Sequence, residues 1–131
     1  MARSIYLDTN YFLRFLLKDN PKQFKIVSDL LNQAKDGKVV VITSVVTILE
    51  IHWVLSSTYE YKKEKILDLL TKLLKLNFIQ FIDKDIIENA LKTYQEEKLE
   101  LEDCLHLAYA KSASALEFET FDKKLISAMR S

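Results

Sequence analysis

The stretch "SIYLDTNYFLRFLL", residues 4–17, decides the fold expected for this chain. Ile5 to Leu7 read as a short buried strand, and the carboxylate of Asp8 follows at once. Charged residues rarely stand at the end of a buried strand without a partner. The position of Asp8 therefore predicts a functional site at the carboxyl end of the first strand.

The composition is that of a folded domain rather than a fibrous or disordered chain. The chain has 131 residues, of which 49% are hydrophobic and 29% are charged. A single cysteine, Cys104, allows no internal disulfide and fits a reducing compartment. Asp8 and Arg14 interrupt the apolar N-terminal region that a signal peptide would need, and no uncharged run approaches the ~20 residues of a membrane span. We expect one cytoplasmic domain over residues 1–131, without a membrane segment.

Charge is unevenly distributed although the formal net charge is zero. Residues 1–38 contain seven basic and four acidic side chains, whereas residues 83–122 contain four basic and eleven acidic ones. Ordinary solvated helix faces explain such a distribution, and so does an acidic site that a phosphate-bearing ligand could approach only with the help of cations. Composition leaves both interpretations open.

Apolar periodicity predicts alternating strands and helices. Strands are predicted over 5–7, 39–42, 78–82 and 116–120. Helices are predicted after Asp8, over 21–36, 45–57, 62–75, 85–97 and 102–114, and from residue 122 or 123 to 129. This alternation is typical of an α/β domain with a mainly parallel sheet, in which ligands bind outside the carboxyl ends of the strands.

Four acidic residues converge on that edge of the predicted sheet. Asp8 ends the first strand, and Asp122 follows two residues after Thr120 at the end of the last. A helix that leads into a parallel strand starts at the same edge, which places Asp103 there. The helix after the second strand places Glu50 in its second turn, within about 9 Å of its start.

Glu50 has apolar neighbours on every side in "VVTILEIHWVL" (45–55), which predicts a buried helix. A buried carboxylate needs a pairing cation or becomes protonated. The alternative is that Glu50 faces a solvent gap or pairs with a lysine, and the spacing alone does not choose between them.

Carboxylates gathered in this way require a cation. Two like charges about 4 Å apart repel by ~4 kcal/mol at an effective dielectric constant near 20. Either protons stay bound or divalent cations occupy the space, and hard oxygen ligands favour Mg²⁺ or Mn²⁺. Such a metal can lower the pKa of a bound water and neutralise a phosphodiester under attack.

Four motifs, "YLDTN", "TSVVTILEI", "EDCLHLAYA" and "ETFDKKL", resemble in their order the acidic signatures of PIN-domain nucleases, and most closely those of VapC-type toxins of toxin–antitoxin pairs. The resemblance extends from Ile5 to about Leu125. It implies a single PIN-like domain with a four-stranded sheet of order 3-2-1-4, flanked by helices on both sides. It also implies a Mg²⁺- or Mn²⁺-dependent endoribonuclease acting on single-stranded RNA, a cognate antitoxin and a homodimer.

The resemblance assigns roles to particular residues. Asp8 and Asp103 are the principal metal ligands, and Glu50 and Asp122 complete the acidic pocket. Hydrogen bonds that orient carboxylates and water are assigned to Asn10 and Thr120, and more loosely to Thr9 and Ser44. A metal-activated water attacks phosphorus and leaves a 5′-phosphate and a 3′-hydroxyl.

Other conspicuous side chains have plainer explanations. We interpret His52 and His106 as packing or polar-contact residues and Cys104 as a small buried residue. Trp53, Tyr109 and Phe118 are expected in the core. Three basic residues near the acidic motifs either contact RNA phosphates or are ordinary surface charges: Arg14, Lys18 and Lys123.

Two other functions remain open from the sequence. A strand that ends in Asp-Thr-Asn is similar to that of phosphatases with a nucleophilic aspartate, here Asp8, although Asn10 stands where those enzymes have a second aspartate. An inactive PIN-like module that only binds a partner protein is the second possibility. Retention of all four acids argues against it.

Overall fold

The computed structural model describes residues 3–130, with the backbone alone at residue 130. The chain divides into two compact units, Met1–Lys84 and Asp85–Ser131. The expectation of one domain over the whole chain is not tested by this division and stays a prediction.

The first unit contains every strand that the structure describes. Its elements are β1 (Arg3–Tyr6), α1 (Thr9–Leu17), α2 (Pro21–Lys35), β2 (Val39–Thr43), α3 (Val45–Ser57), α4 (Lys63–Leu74) and β3 (Ile79–Phe81). The second unit is helical, with α5 (Lys84–Glu96) beginning at the boundary, followed by α6 (Leu101–Ser112) and α7 (Lys123–Arg130).

The three strands form a parallel sheet in the order β1-β2-β3. Ile5 of β1 pairs with Val41 of β2, and Val41 pairs in turn with Ile79 of β3. The central strand β2 is the most buried of the three, because its β-branched side chains meet neighbours on both sides. The α/β class with a parallel sheet is thus confirmed, and helices on both faces of that sheet stay a prediction.

The predicted fourth strand, residues 116–120, is wrong: within residues 3–130 the sheet has three strands rather than four. Residues 115–122 adopt no helix or strand, and the side chain of Leu116 is fully exposed. Alternating polarity favours a strand only where a neighbouring strand supplies the hydrogen bonds and a surface to cover the apolar side chains. Of the predicted order 3-2-1-4, the pairing of strand 3 with strand 2 and of strand 2 with strand 1 is therefore correct, and the position of a fourth strand is not.

The first strand is an edge strand rather than the buried strand that its sequence predicts. Tyr6 is 55% exposed and Ile5 is partly exposed, whereas Leu7, just after the strand, is buried. The backbone N–H of Leu7 continues the pairing, since it donates to the carbonyl of Ile42 at 3.0 Å. Asp8 therefore follows a strand that has one open edge.

Helix boundaries follow the local chemistry of the sequence. Pro21 occupies the first turn of α2, and the side chain of Asn20 accepts a hydrogen bond from the backbone N–H of Gln23 at 3.0 Å. Gly37, with φ of +78°, adopts the left-handed conformation after that helix. The apolar stripe of α4 is buried as expected at Ile66 and Leu70, together with Leu73 and Leu74. Among the helices of the described residues, none combines the length and the apolar character needed to cross a membrane.

Candidate active site

Asp8 is the N-cap of α1 in the first unit. Its backbone is extended (φ −87°, ψ 179°), and its Oδ1 accepts a long hydrogen bond from the backbone N–H of Tyr11 at 3.4 Å. A carboxylate at this position interacts favourably with the positive end of the helix dipole. The side chain of Asp8 is exposed, so it is held at the end of β1 while remaining accessible to a ligand.

Glu50 is exposed, and the prediction that it lies on a buried helix is wrong. The same helix, α3, also exposes Trp53, which is 65% accessible and does not join the core as expected. Only one stripe of α3 is buried, formed by Thr47, Ile48, Ile51, His52 and Leu55. The apolar composition of the helix therefore gave no sign that only one of its faces is buried. Of the two alternatives for Glu50, the one in which its side chain faces solvent is correct.

Thr9 connects the two carboxylates of the first unit. Its hydroxyl donates a hydrogen bond to Oε1 of Glu50 at 2.8 Å. Because Thr9 immediately follows Asp8 in the chain, this bond fixes Glu50 next to the residue that caps α1. The looser assignment of Thr9 to an orienting role thus has a defined partner in the structure.

Tyr6 is a residue that the sequence did not single out. Its hydroxyl oxygen lies 2.7 Å from Oγ of Ser44, a hydrogen-bond distance. Ser44 is the N-cap residue of α3 but makes no capping bond with its side chain, since its hydroxyl engages Tyr6 instead. This bond, followed by that to Thr47, holds the pKa of the Tyr6 phenol below its usual range, although burial and the charge of Glu50 oppose the shift.

The ends of β1 and β2 are joined by a buried hydroxyl pair. The Thr43 hydroxyl donates to the carbonyl of Leu7 at 3.1 Å and lies 2.8 Å from the hydroxyl of Thr47. Both threonines are almost fully buried. Because buried polar groups are costly without partners, this pair fixes the spacing of the two strand ends that precede Asp8 and Ser44.

A cavity of about 560 Å³ lies on the open side of β1. Asp8, Tyr6 and Tyr11 line it together with residues of α2, among them Ile26 and Gln33. Both tyrosines are partly exposed, at 55% and 40%. Asp8 is therefore at the margin of a space large enough for a small organic group.

In the second unit, Asp103 lies in the first turn of α6, and its side chain is half-buried. Burial raises the pKa of the Asp103 carboxyl above its usual range, and the negative charges of Asp122 and Glu102 raise it further. His106 and the backbone of Glu100 act in the opposite direction but do not cancel the effect. Ionised Asp103 thus carries an electrostatic cost that a nearby cation would remove.

Asp122 is fixed at the start of α7 by backbone donors. Its Oδ1 accepts hydrogen bonds from the N–H groups of Lys124 at 2.8 Å and Leu125 at 3.2 Å. Its own N–H donates to Oγ1 of Thr120 at 3.1 Å. Thr120 therefore orients the backbone at Asp122, while the carboxylate takes the place of a helix cap. The sequence predicts Asp122 at the end of a fourth strand, and that reason for its position is wrong because residues 116–120 do not form a strand.

The structure thus associates the predicted acids in pairs, one pair within each unit. Asp8 and Glu50 are connected through Thr9, whereas Asp103 and Asp122 interact through their charges. In neither unit do the described residues bring three or more His, Cys, Asp or Glu side chains together as a metal-binding group. Carboxylate oxygens are nevertheless the donors that Mg²⁺ and Mn²⁺ prefer, and the repulsion around Asp103 is the condition that a divalent cation relieves.

The remaining predicted site residues have individual environments. Asn10 is exposed in the first turn of α1. Arg14 forms an ion pair with Asp19 at 3.1 Å, and the ammonium of Lys18 lies 5.7 Å from the ring centre of Phe24. Both cations therefore already have partners within the first unit, as surface charges commonly do.

The plainer interpretation holds for the burial of Cys104 but fails for the aromatic residues that were expected in the core. Cys104 is buried and forms no disulfide. His52 is buried on α3, whereas His106 is exposed on α6. Tyr109 and Phe118 are partly exposed rather than core residues.

Comparison with known families gives one match, which covers nearly the whole chain. The family model for the PIN domain matches residues 5–130. Comparison with curated proteins finds no match. Comparison with solved structures likewise finds none.

Proposed function

Because this chain belongs to the PIN domain family, we propose that it is a metal-dependent endoribonuclease and the toxin of a type II toxin–antitoxin pair. PIN domains are generally metal-dependent nucleases, so the family membership itself indicates a nuclease, a hydrolase acting on phosphodiester bonds. The proposal goes further in naming single-stranded RNA as the substrate, Mg²⁺ or Mn²⁺ as the cofactor, and a cognate antitoxin as the partner.

The observation that carries the proposal is the electrostatic state of Asp103. Burial and the charges of Asp122 and Glu102 disfavour its ionised form, and the opposing effects of His106 and of the backbone of Glu100 do not cancel them. A carboxyl whose pKa is perturbed by burial together with specific charged neighbours is a candidate for a functional site. Asp103 and Asp122 therefore have the chemistry expected of metal ligands.

Asp8, Glu50, Asp103 and Asp122 would hold the metal. When bound, the metal supplies an activated water and neutralises charge on the phosphodiester. The protein's own contribution is positioning. Asp8 and Asp122 are fixed by backbone N–H groups at the starts of α1 and α7.

Hydroxyl groups support these carboxylates. Thr9 directs Oε1 of Glu50 through its hydrogen bond, and Thr120 fixes the backbone at Asp122. Ser44 contributes through Tyr6 and supports the end of β2, while Asn10 presents an exposed amide beside Asp8. Each of these groups orients a ligand or a substrate contact without reacting itself.

The partners and the compartment rest on the resemblance to toxins of this family. Exposed apolar side chains in both units, including Ile26, Val46 and Phe121, are available to a second copy or to an antitoxin. In size-exclusion chromatography at micromolar concentration, a homodimer would elute earlier than expected for the mass of one chain. Elution at the position of a monomer would contradict the proposed homodimer. A lone buried cysteine suits the reducing cytoplasm.

Cleavage of a mixed RNA pool tests the proposed function. The pool is incubated with Mg²⁺, with Mn²⁺ and with a chelator, and the ends of the products are mapped. We expect cleavage only with a divalent ion, producing 5′-phosphate and 3′-hydroxyl ends. Hydrolysis of a small phosphate ester without RNA cleavage would indicate a phosphatase that uses Asp8, and no hydrolysis of either substrate would indicate an inactive binding module.

A further inference from the structure

A second cavity lies entirely within the helical unit and has a different character from the acidic site. It is an open depression of about 530 Å³ lined by the α5–α6 loop and one face of α7. The loop contributes Glu97, Lys98 and Leu99, and the helix contributes Lys123, Lys124, Ser127 and Ala128. We call this cavity the lysine cleft.

The lysine cleft concentrates positive charge in an acidic part of the chain. The second unit has five lysines, Lys92, Lys98, Lys111, Lys123 and Lys124, and three of them line this one cavity. Glu97 is the single acidic side chain among the lining residues. The lining therefore carries a net positive charge, although the second unit as a whole, residues 85–131, has ten acidic and six basic residues.

The three cleft lysines are available to a ligand. Their side chains are exposed, and among residues 3–130 none of the three forms an ion pair with a carboxylate. By contrast, Lys25 and Lys72 on the first unit pair with acids one helical turn away. An ammonium group without a protein partner can contact phosphate without first breaking an ion pair.

The side chains that line the cleft include donors suited to a polyanion. Leu99 is buried in the loop that contributes to the lining, whereas the three lysine side chains are exposed. Lys123 and Ser127 are four residues apart on α7, as are Lys124 and Ala128, so one helix face presents two cations beside a hydroxyl. Phosphate oxygens accept hydrogen bonds from both kinds of donor.

The position of the cleft relates it to the acidic pair of the same unit. Lys123 directly follows Asp122, and Asp122 interacts electrostatically with Asp103. Consecutive Cα atoms are about 3.8 Å apart, so the backbone at Lys124 is within about 8 Å of that at Asp122. A strand of RNA held by the lysines would therefore extend from the carboxylates that are proposed to bind metal.

We propose that Lys98, Lys123 and Lys124 form a phosphate-binding cleft that holds the backbone of single-stranded RNA beside Asp122. This inference rests on the proposed ribonuclease function and adds a substrate-contact surface to it. The cleft binds by charge, independently of base sequence, and acts on substrate affinity rather than on the chemical step.

RNA binding in the presence of a chelator tests the lysine cleft without cleavage. Fluorescence anisotropy of a short labelled single-stranded RNA is measured over about 50–200 mM salt. The variant K98Q/K123Q/K124Q is compared with K22Q/K92Q/K111Q, which removes the same charge from exposed lysines outside the cleft. The charge-preserving variant K98R/K123R/K124R and thermal melts of all variants control for folding.

We expect the cleft variant to bind more than about tenfold more weakly than the wild type at the lowest salt. The slope of log affinity against log salt concentration should decrease in magnitude by about 2, because each of three lost phosphate contacts on a single strand contributes about 0.7 to that slope. The control and arginine variants should keep the slope of the wild type. In cleavage assays the cleft variant should raise KM and leave kcat nearly unchanged.

Failure of this inference can be distinguished from failure of the proposed function. If the wild type cleaves RNA but the cleft variant binds it with unchanged affinity and slope, the cleft is overturned and the nuclease remains. If RNA binding depends on the cleft but no divalent ion supports cleavage, the nuclease is overturned and the cleft remains. Equal binding of a labelled oligoglutamate, lost in the same variant, would overturn the RNA assignment in favour of an acidic protein segment.

Discussion

In the first unit the two candidate carboxylates are connected through the hydroxyl of Thr9, whereas in the second unit they interact through their charges. Glu50 accepts a bond from Thr9, and Asp8 accepts one from the N–H of Tyr11. Asp103 is half-buried near Asp122 and Glu102, and its pKa is raised. The bond from Thr9 therefore positions Glu50 before any ligand arrives, whereas Asp103 gains most from the arrival of a cation.

This difference follows from the kinds of element that carry the acids. The first unit has a parallel sheet whose strand ends are joined by the buried hydroxyls of Thr43 and Thr47, so the residues after β1 and β2 have defined neighbours. The second unit contains helices and the irregular segment 113–122, and its acids are placed by helix starts. Substitutions in the two units should consequently differ in the size of their effects on RNA cleavage and on stability.

The largest expected effect is on catalysis in the second unit. Asp103→Asn keeps the shape of the side chain but removes a negative metal ligand, and we expect RNA cleavage to fall by at least about 100-fold, equivalent to about 2.7 kcal/mol. The matched control is Asp85→Asn, because Asp85 also lies in the first turn of a helix but is exposed on α5. Comparable cleavage by both variants under saturating Mn²⁺ would mean that Asp103 has no special role.

A smaller effect is expected from the hydrogen bond in the first unit. Thr9→Val removes the donor to Glu50 while preserving the branched shape, and we expect about a tenfold loss of cleavage, as is typical for groups that orient metal ligands. Thr9→Ser retains a hydroxyl and should stay within about threefold of the wild type. The interpretation fails if the valine variant is as active as the serine variant in initial-rate assays.

The raised pKa of Asp103 makes a further prediction about stability without metal. A carboxyl whose pKa is higher in the folded state stabilises the fold at low pH, and this contribution is lost as the pH rises through that pKa. In chelator, Asp103→Asn should therefore melt at a slightly higher temperature than the wild type near neutral pH. The difference should shrink as the pH falls below the usual range of aspartate, and thermal melts from acid to neutral pH measure it. A variant that is less stable than the wild type at neutral pH would show that the ionised carboxylate is stabilised by contacts.

The smallest expected effect concerns the segment that was expected to be a strand. Leu116 is fully exposed, so Leu116→Ser should change the free energy of unfolding by less than about 0.5 kcal/mol. Ile87 is fully buried on α5, and Ile87→Ala should cost about 2–5 kcal/mol in the same urea titration. A large loss of stability in the Leu116 variant would indicate that residues 116–120 pair as a strand in solution.

Local signals predicted the helices and the first three strands well. Pro21 and Gly37 mark the ends of α2 in the sequence as they do in the structure, because both act through backbone geometry that needs no tertiary context. The fourth strand was mispredicted because a strand also requires a partner. Periodicity in the segment around Phe118 carries no information about whether a partner is available.

The candidate site was only partly accessible to sequence reasoning. The strand ends located Asp8, but Glu50 was placed in a buried environment because α3 is apolar in composition and its exposed stripe includes Val46 and Trp53. The bond between Tyr6 and Ser44 could not be predicted, since it joins residues 38 positions apart. Such contacts depend on strand register, which the sequence leaves unspecified until the fold is known.

Metal binding by the paired carboxylates is the claim on which the proposed chemistry depends. Titration of the wild type with Mn²⁺, followed by the paramagnetic resonance of the free ion, measures it without any RNA. We expect saturable binding that weakens by at least about tenfold in Asp8→Asn and also in Asp103→Asn, because the proposed function assigns a metal ligand to each of these positions. Unchanged binding in both variants, or no saturable binding by the wild type, would contradict the account.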